Sequence, residues 1–146
     1  MQVRIHIRGV QRLEEDADVV ELTAAGELHQ TDGGYRIRYQ ETAASGLEGT
    51  ETTLEVLPDR LLLTRAGTMN SRLVLEPGNR HEGRYETPYG SLLLGAYTQE
   101  VRSELTQQGG RLIFRYTLDM NGSVTGHHEV HMTIEPAGSG NSGPAA

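Results

Sequence analysis

The chain has 146 residues, with 20 acidic against 13 basic for a formal charge of -7, and it has no cysteine. That length suits one domain, which buries roughly 68–70% of its unfolded surface, and the charge excludes the basic field that nucleic-acid backbones require. Without cysteine there is no disulfide framework, no thiol nucleophile and no thiolate metal site.

Met1 to Arg8 alternate polar and apolar, which gives neither a signal-peptide core nor a membrane span, so a cytoplasmic protein with no membrane partner is expected. Val3, Ile5 and Ile7 make the first apolar face of an extended segment. The acidic run Glu14-Glu15-Asp16 with Asp18 separates it from a second strand carrying Val20, Leu22, Ala24 and Leu28. Thr31-Asp32-Gly33-Gly34 is a hairpin signal. The third strand places Tyr35, Ile37, Tyr39 and Glu41 on one side and Arg36, Arg38 and Gln40 on the other. After a break at Ser45-Gly46, Thr50, Thr52, Leu54 and Val56 resume the alternation. Pro58-Asp59 turns the chain. Leu61, Leu63 and Arg65 share a face, Gly67 ends that strand, and Ser71, Leu73 and Leu75 form the next. Beyond Pro77-Gly78-Asn79, the residues His81, Gly83, Tyr85 and Thr87 oppose Arg80, Glu82, Arg84 and Glu86.

Tyr85-Glu86-Thr87-Pro88-Tyr89-Gly90 is unusual because a proline removes a ladder hydrogen bond, which demands an edge, a bulge or a strand start. Alternation carried through it sets Tyr85, Thr87 and Tyr89 on one face, with Pro88 and Gly90 bending the strand at a rim. From Ser91 to Leu105 the register is open, and a short helix over Thr98–Gln107 is admitted. Gly109-Gly110 leads into Leu112, Phe114, Tyr116 and Leu118. Asn121-Gly122 is a strong hairpin signal. The last strand sets His128, Val130, Met132 and Ile134 against His127, Glu129, His131 and Thr133. Residues 137–146 lack any apolar pattern and are expected to be a disordered tail after a single domain over 1–136.

About eight to ten short strands joined mainly by hairpins predict an all-β, antiparallel up-and-down barrel, with a sandwich as the alternative. The aromatic residues are six Tyr and one Phe, and a buried tyrosine needs a partner for its hydroxyl, so a polar, tyrosine-bearing interior is expected. The ordered set Tyr39-Gln40-Glu41, Gly46-Leu47-Glu48-Gly49-Thr50, Arg65-Ala66-Gly67, Tyr85 to Gly90, the Gly-Arg-Leu-Ile-Phe-Arg-Tyr run ending at Tyr116, and His131-Met132-Thr133-Ile134 resembles the YwiB-like family of bacterial proteins. That resemblance implies a lipocalin-like, calycin-type barrel in a bacterial cytoplasm. It implies no catalytic residues.

The expected interior row is Tyr35, Tyr39, Glu41, Arg65, His81, Tyr85, Thr87, Tyr89 and Tyr116. Within it, Tyr39, Glu41, Arg65, Tyr85, Thr87, Tyr89 and Tyr116 are the candidate ligand-binding residues. Glu41 and Arg65 are natural partners, because a buried charge persists only when it is paired. An Arg fork among tyrosine hydroxyls suits a carboxylate or phosphate. The same groups, satisfying one another, make a structural plug. His127, Glu129 and His131 are zinc-type ligands with alternate Cα atoms about 6.8 Å apart, but their face opposes the apolar one, so a solvated face without metal is expected. No catalytic template and no cofactor motif is present. The leading expectation is a non-enzymatic module for a small anionic or amphipathic molecule. The alternatives are a filled barrel acting through its acidic outer surface, or a small enzyme using Glu41, Arg65 and the tyrosines. Cavity volume separates the first two, at about 300 Å³.

Overall fold

The structure, a computed structural model, describes residues 1–138. Within them the alternating segments become ten strands: β1 (Gln2–Leu13), β2 (Asp16–Thr31), β3 (Gly34–Gln40), β4 (Thr50–Val56), β5 (Leu61–Gly67), β6 (Asn70–Leu75), β7 (Arg80–Thr87), β8 (Gly90–Thr106), β9 (Gly109–Met120) and β10 (Ser123–Pro136). Each strand pairs antiparallel with its sequence neighbours and β10 closes on β1, giving a closed up-and-down barrel in which the β6–β7 ladder is reduced to Asn70–Glu86 and Ser71–Tyr85. From residue 139 on, the expected tail lies outside the described residues.

Period-2 alternation decides what fills the barrel. Ile5, Leu28, Ile37, Leu54, Leu61, Leu75, Leu112, Met132 and Ile134 point inward and form one continuous apolar cluster. Only Glu41, Thr50, Thr52 and Thr98 are buried polar residues among those described. The interior is therefore apolar along most of its length, with Glu41, Thr50 and Thr52 gathered at one end and Thr98 set beside the β6–β7 connection. This corrects the expectation of a generally polar interior. Ile37 is fully buried, and Ile37→Ala is expected to cost about 2–5 kcal/mol in urea unfolding.

Two local features depart from the expected elements. The segment Thr98–Gln107 is not helical; nearly all of it belongs to the long strand β8. A bulge between Thr98 and Glu100 shifts the inward phase from Leu94, Ala96 and Thr98 to Val101 and Leu105. That slip breaks strict alternation and imitates helical spacing. At the β2–β3 turn the two glycines have different reasons to be there. Gly33 takes a positive φ of 85°, whereas Gly34 lies so close to β4 that a Cβ would sit 1.8 Å from the Val56 carbonyl oxygen. Gly34→Ala is expected to destabilise the barrel by about 2–3 kcal/mol through forced backbone movement, read as a lower urea midpoint at unchanged m-value.

The connections divide between two mouths. At the upper mouth lie the β1–β2, β3–β4, β5–β6, β7–β8 and β9–β10 connections. The other four turns lie at the lower mouth, where the Met1 ammonium donates to the Leu28 carbonyl at 3.0 Å.

Candidate functional site

Register brings the chemistry to the upper mouth. Tyr39 on β3 is opposite Thr52 on β4, and Thr52 is opposite Arg65 on β5. All three are in the inward phase, so they form one row across three strands, with Glu41 just beyond β3. Thr52 Oγ1 donates to Glu41 Oε2 at 2.5 Å, and Arg65 Nε stands 3.9 Å from the same oxygen. The Glu41 side chain is 3% exposed and that of Arg65 is 25% exposed. The carboxylate is thus enclosed while the guanidinium keeps a route to solvent. Burial and the adjacent Glu41 carboxylate push the Tyr39 phenol well above its ordinary range.

On the facing wall, Tyr116 of β9 is opposite His128 of β10, and their rings stack with centroids 4.9 Å apart and planes 5° from parallel. Burial raises the Tyr116 phenol, opposed by the Arg65 charge. Burial first, then Arg65 and His127, lower the His128 imidazole from 6.5 to about 4. His128 is therefore neutral near pH 7. Two buried nitrogens here, Arg65 Nε and His128 Nε2, have no hydrogen-bond partner among the described residues. Buried polar groups are normally paired, so both stand out.

These walls enclose a cavity of about 190 Å³, whose lining combines Tyr39, Glu41, Arg65, Tyr116 and His128 with an apolar remainder including Ile7, Leu22 and Met132. Its cap is the β3–β4 connection. Thr42 Oγ1 accepts from Ala44 N at 3.3 Å and starts a 3-10 turn over Ala43–Ser45, and the left-handed residues Gly46 and Gly49 reverse the chain. Ser45 and Leu47 are thereby laid over the mouth. Gly9 also lines the cavity, and no atom lies within 4 Å of where its Cβ would be. The missing side chain is part of the empty space.

Of the expected ligand-binding residues, Tyr39, Glu41, Arg65 and Tyr116 converge on this cavity. Tyr85 is half-buried against the apolar cluster and does not line it. Thr87 closes the β7–β8 turn, donating to the Gly90 carbonyl at 2.9 Å and accepting from Tyr89 N at 3.1 Å. Tyr89 is fully exposed, a correction to the interior row. Alternation stops at Thr87, because Pro88 and Tyr89 form the turn itself. Tyr35 and His81 are also displaced, lying toward the lower mouth, where His81 Nε2 meets Glu76 Oε1 at 2.9 Å. His128 was placed on the inward apolar face by its phase with Val130, Met132 and Ile134. A histidine in that series was the available sign of a polar wall.

A larger cleft, about 600 Å³, opens at the lower mouth beside Tyr35, Arg60, Glu76 and Asn79. Its charges already satisfy one another, since Glu76 accepts from Arg60 Nη2 at 3.1 Å and contacts His81. The smaller upper cavity is the stronger site, because it holds the unpaired nitrogens. On the outer face, His131 Nε2 contacts Glu129 at 2.7 Å and His127 Nδ1 contacts Thr117 at 2.8 Å. Among the described residues no group of three His, Asp or Glu is arranged to hold a metal ion, and no helix is long and apolar enough to cross a membrane.

Residues 5–132 match the family model described as a domain of unknown function, DUF1934. The chain is 23% identical over 135 residues to the uncharacterized beta-barrel protein YwiB of Bacillus subtilis (strain 168), covering 91% of this chain and 92% of that protein. The crystal structure of the ywiB protein from Bacillus subtilis superposes with a TM-score of 0.82 at 22% identity, covering 93% of this chain and 92% of the other. At that identity the structural likeness speaks for the fold alone. With more than half its length matched by the family model, the chain belongs to the DUF1934 family of β-barrel proteins.

Proposed function

We propose that this barrel is a non-enzymatic binding module that holds a small amphipathic molecule in its upper cavity, as calycin-like barrels use a mouth. The observation that carries the reading is the pair Arg65 Nε and His128 Nε2, buried without partners on the wall of an otherwise largely apolar cavity. A ligand oxygen accepting from both nitrogens removes the cost of leaving them unpaired, and an apolar body fits against Ile7, Leu22, Leu47 and Met132. Tyr39 and Tyr116 supply the amphipathic walls. A cytoplasmic setting, implied by the family resemblance, belongs to the same proposal.

One observation favours a second reading, the filled structural barrel. The cavity of about 190 Å³ is smaller than the usual pocket of about 300 Å³ or more. Gly9→Val separates the two. The added methyls enter open space, and valine suits a strand better than glycine. The variant is expected to keep or raise the melting temperature while losing methyl-resonance shifts seen when the wild type is titrated with small-molecule extract of its source cells. Shifts confined to Val56 and Val101, at the lower cleft, would contradict the reading.

A further inference from the structure

We propose that the ligand class is a short-chain monocarboxylic acid, bound as the carboxylate together with one proton that His128 takes from solvent. This deepens the binding reading above and rests on it. An enclosed space demands charge balance. The cavity holds one permanent cation, Arg65, already 3.9 Å from the buried Glu41 carboxylate. A second carboxylate entering against Arg65 leaves two anions facing one cation, and an uncompensated charge there is costly. Protonating His128 makes the set two and two, and converts Nε2 from an unpaired atom into a charged donor for the incoming oxygen.

Every charged or titratable neighbour of His128 bears on this balance. Tyr116 stacks on it from β9, Arg65 faces it from β5, and Tyr39 and Glu41 line the same cavity from β3 and its end. His127 adjoins it on β10, and Arg12, Arg115 and Glu129 share with His128 and Tyr116 a second pocket of about 280 Å³. The β1 and β2 residues lining the cavity, Ile7, Gly9, Val20 and Leu22, carry no charge. In the free protein burial, Arg65 and His127 all oppose protonation. A bound carboxylate opposes those influences, so binding and protonation favour each other.

Size narrows the class. A cavity of about 190 Å³ has the volume of about six waters, which corresponds to about six to eight non-hydrogen atoms. A carboxylate with a chain of three to five carbons beyond it meets that limit, and the apolar lining suits an unsubstituted chain.

The test is isothermal titration calorimetry with pentanoate and, as the uncharged analogue of the same shape, pentanamide. Each is titrated at about pH 6 and about pH 7.5, where pentanoate stays largely ionised, in two buffers of different ionisation enthalpy. Pentanoate is expected to bind about 10- to 30-fold more tightly at the lower pH, with close to one proton taken up per molecule bound. In His128→Gln the proton uptake and the pH dependence should both vanish, while a melting curve shows the variant folded. Pentanoate binding without proton uptake, or pentanamide binding as tightly, overturns the carboxylic-acid assignment and leaves the binding reading standing. No pentanoate binding at about 10 mM, a concentration that detects even weak complexes, also overturns it, and the binding reading is judged separately by a copurifying ligand.

Discussion

Arg65→Met is expected to destabilise the barrel by about 2–3 kcal/mol in urea unfolding near pH 7, less than the full cost of breaking a deeply buried ion pair, because the guanidinium is partly solvated. The variant leaves a 3%-exposed Glu41 carboxylate held by the Thr52 and Tyr39 hydroxyls without its cation partner. Glu41→Gln should cost about 1 kcal/mol, since its amide oxygen still accepts from Thr52 and Arg65 keeps its solvent route. In the double variant neither charge is stranded, and the combined loss should fall below the sum of the two by about 1–2 kcal/mol. Additive losses would mean that the 3.9 Å approach carries no coupling. A second readout accompanies Arg65→Met. With that charge gone, one of the influences holding the His128 imidazole low is removed, and its titration should move toward the ordinary histidine range.

Stability of the ligand-free protein should fall as pH drops from about 6.5 toward 4.5, by about 2–3 kcal/mol. The sign follows from His128, whose folded value of about 4 lies below the ordinary 6.5. Between those values the unfolded chain binds a proton that the folded barrel rejects, so acid favours unfolding. The contribution is fully present above about pH 6.5 and lost as pH falls through the folded value. Glu100, Asp119 and Glu129 are lowered by their hydrogen bonds to Arg102, Arg80 and His131 respectively. They are carboxylates, so their share is lost mainly below the window used for His128. His128→Phe should flatten the slope between about pH 4.5 and 6.5. An unchanged slope in that variant would move the effect to another group.

The site was legible in the sequence where strands run without interruption. Tyr39, Glu41, Arg65 and Tyr116 each lie in phase with neighbouring apolar residues, and antiparallel pairing then sets Tyr39, Thr52 and Arg65 in one row. Period 2 is a property of the pleated backbone, so it survives without knowledge of the partner strands. It fails where the backbone leaves the strand. Pro88 ends β7 before Tyr89, and the bulge after Thr98 reverses the phase of β8. The β3–β4 cap was visible only as a break at Ser45-Gly46, because its course depends on left-handed Gly46 and Gly49 and on what it covers. Gly9 was invisible as a site residue. Its contribution is absent volume, which appears only once β1 stands in the barrel wall. The division of the expected interior row between two mouths likewise depended on strand register, because Tyr35 and Tyr39 share one face yet lie about 13 Å apart along the strand.

Native mass spectrometry of the barrel purified from its source cells under non-denaturing conditions tests binding in the upper cavity most directly. The wild type should carry a small-molecule adduct that is missing from both Arg65→Met and Gly9→Val prepared in the same way. A wild-type barrel with no adduct, or one retained equally by both variants, would contradict the assignment of that cavity as a ligand site.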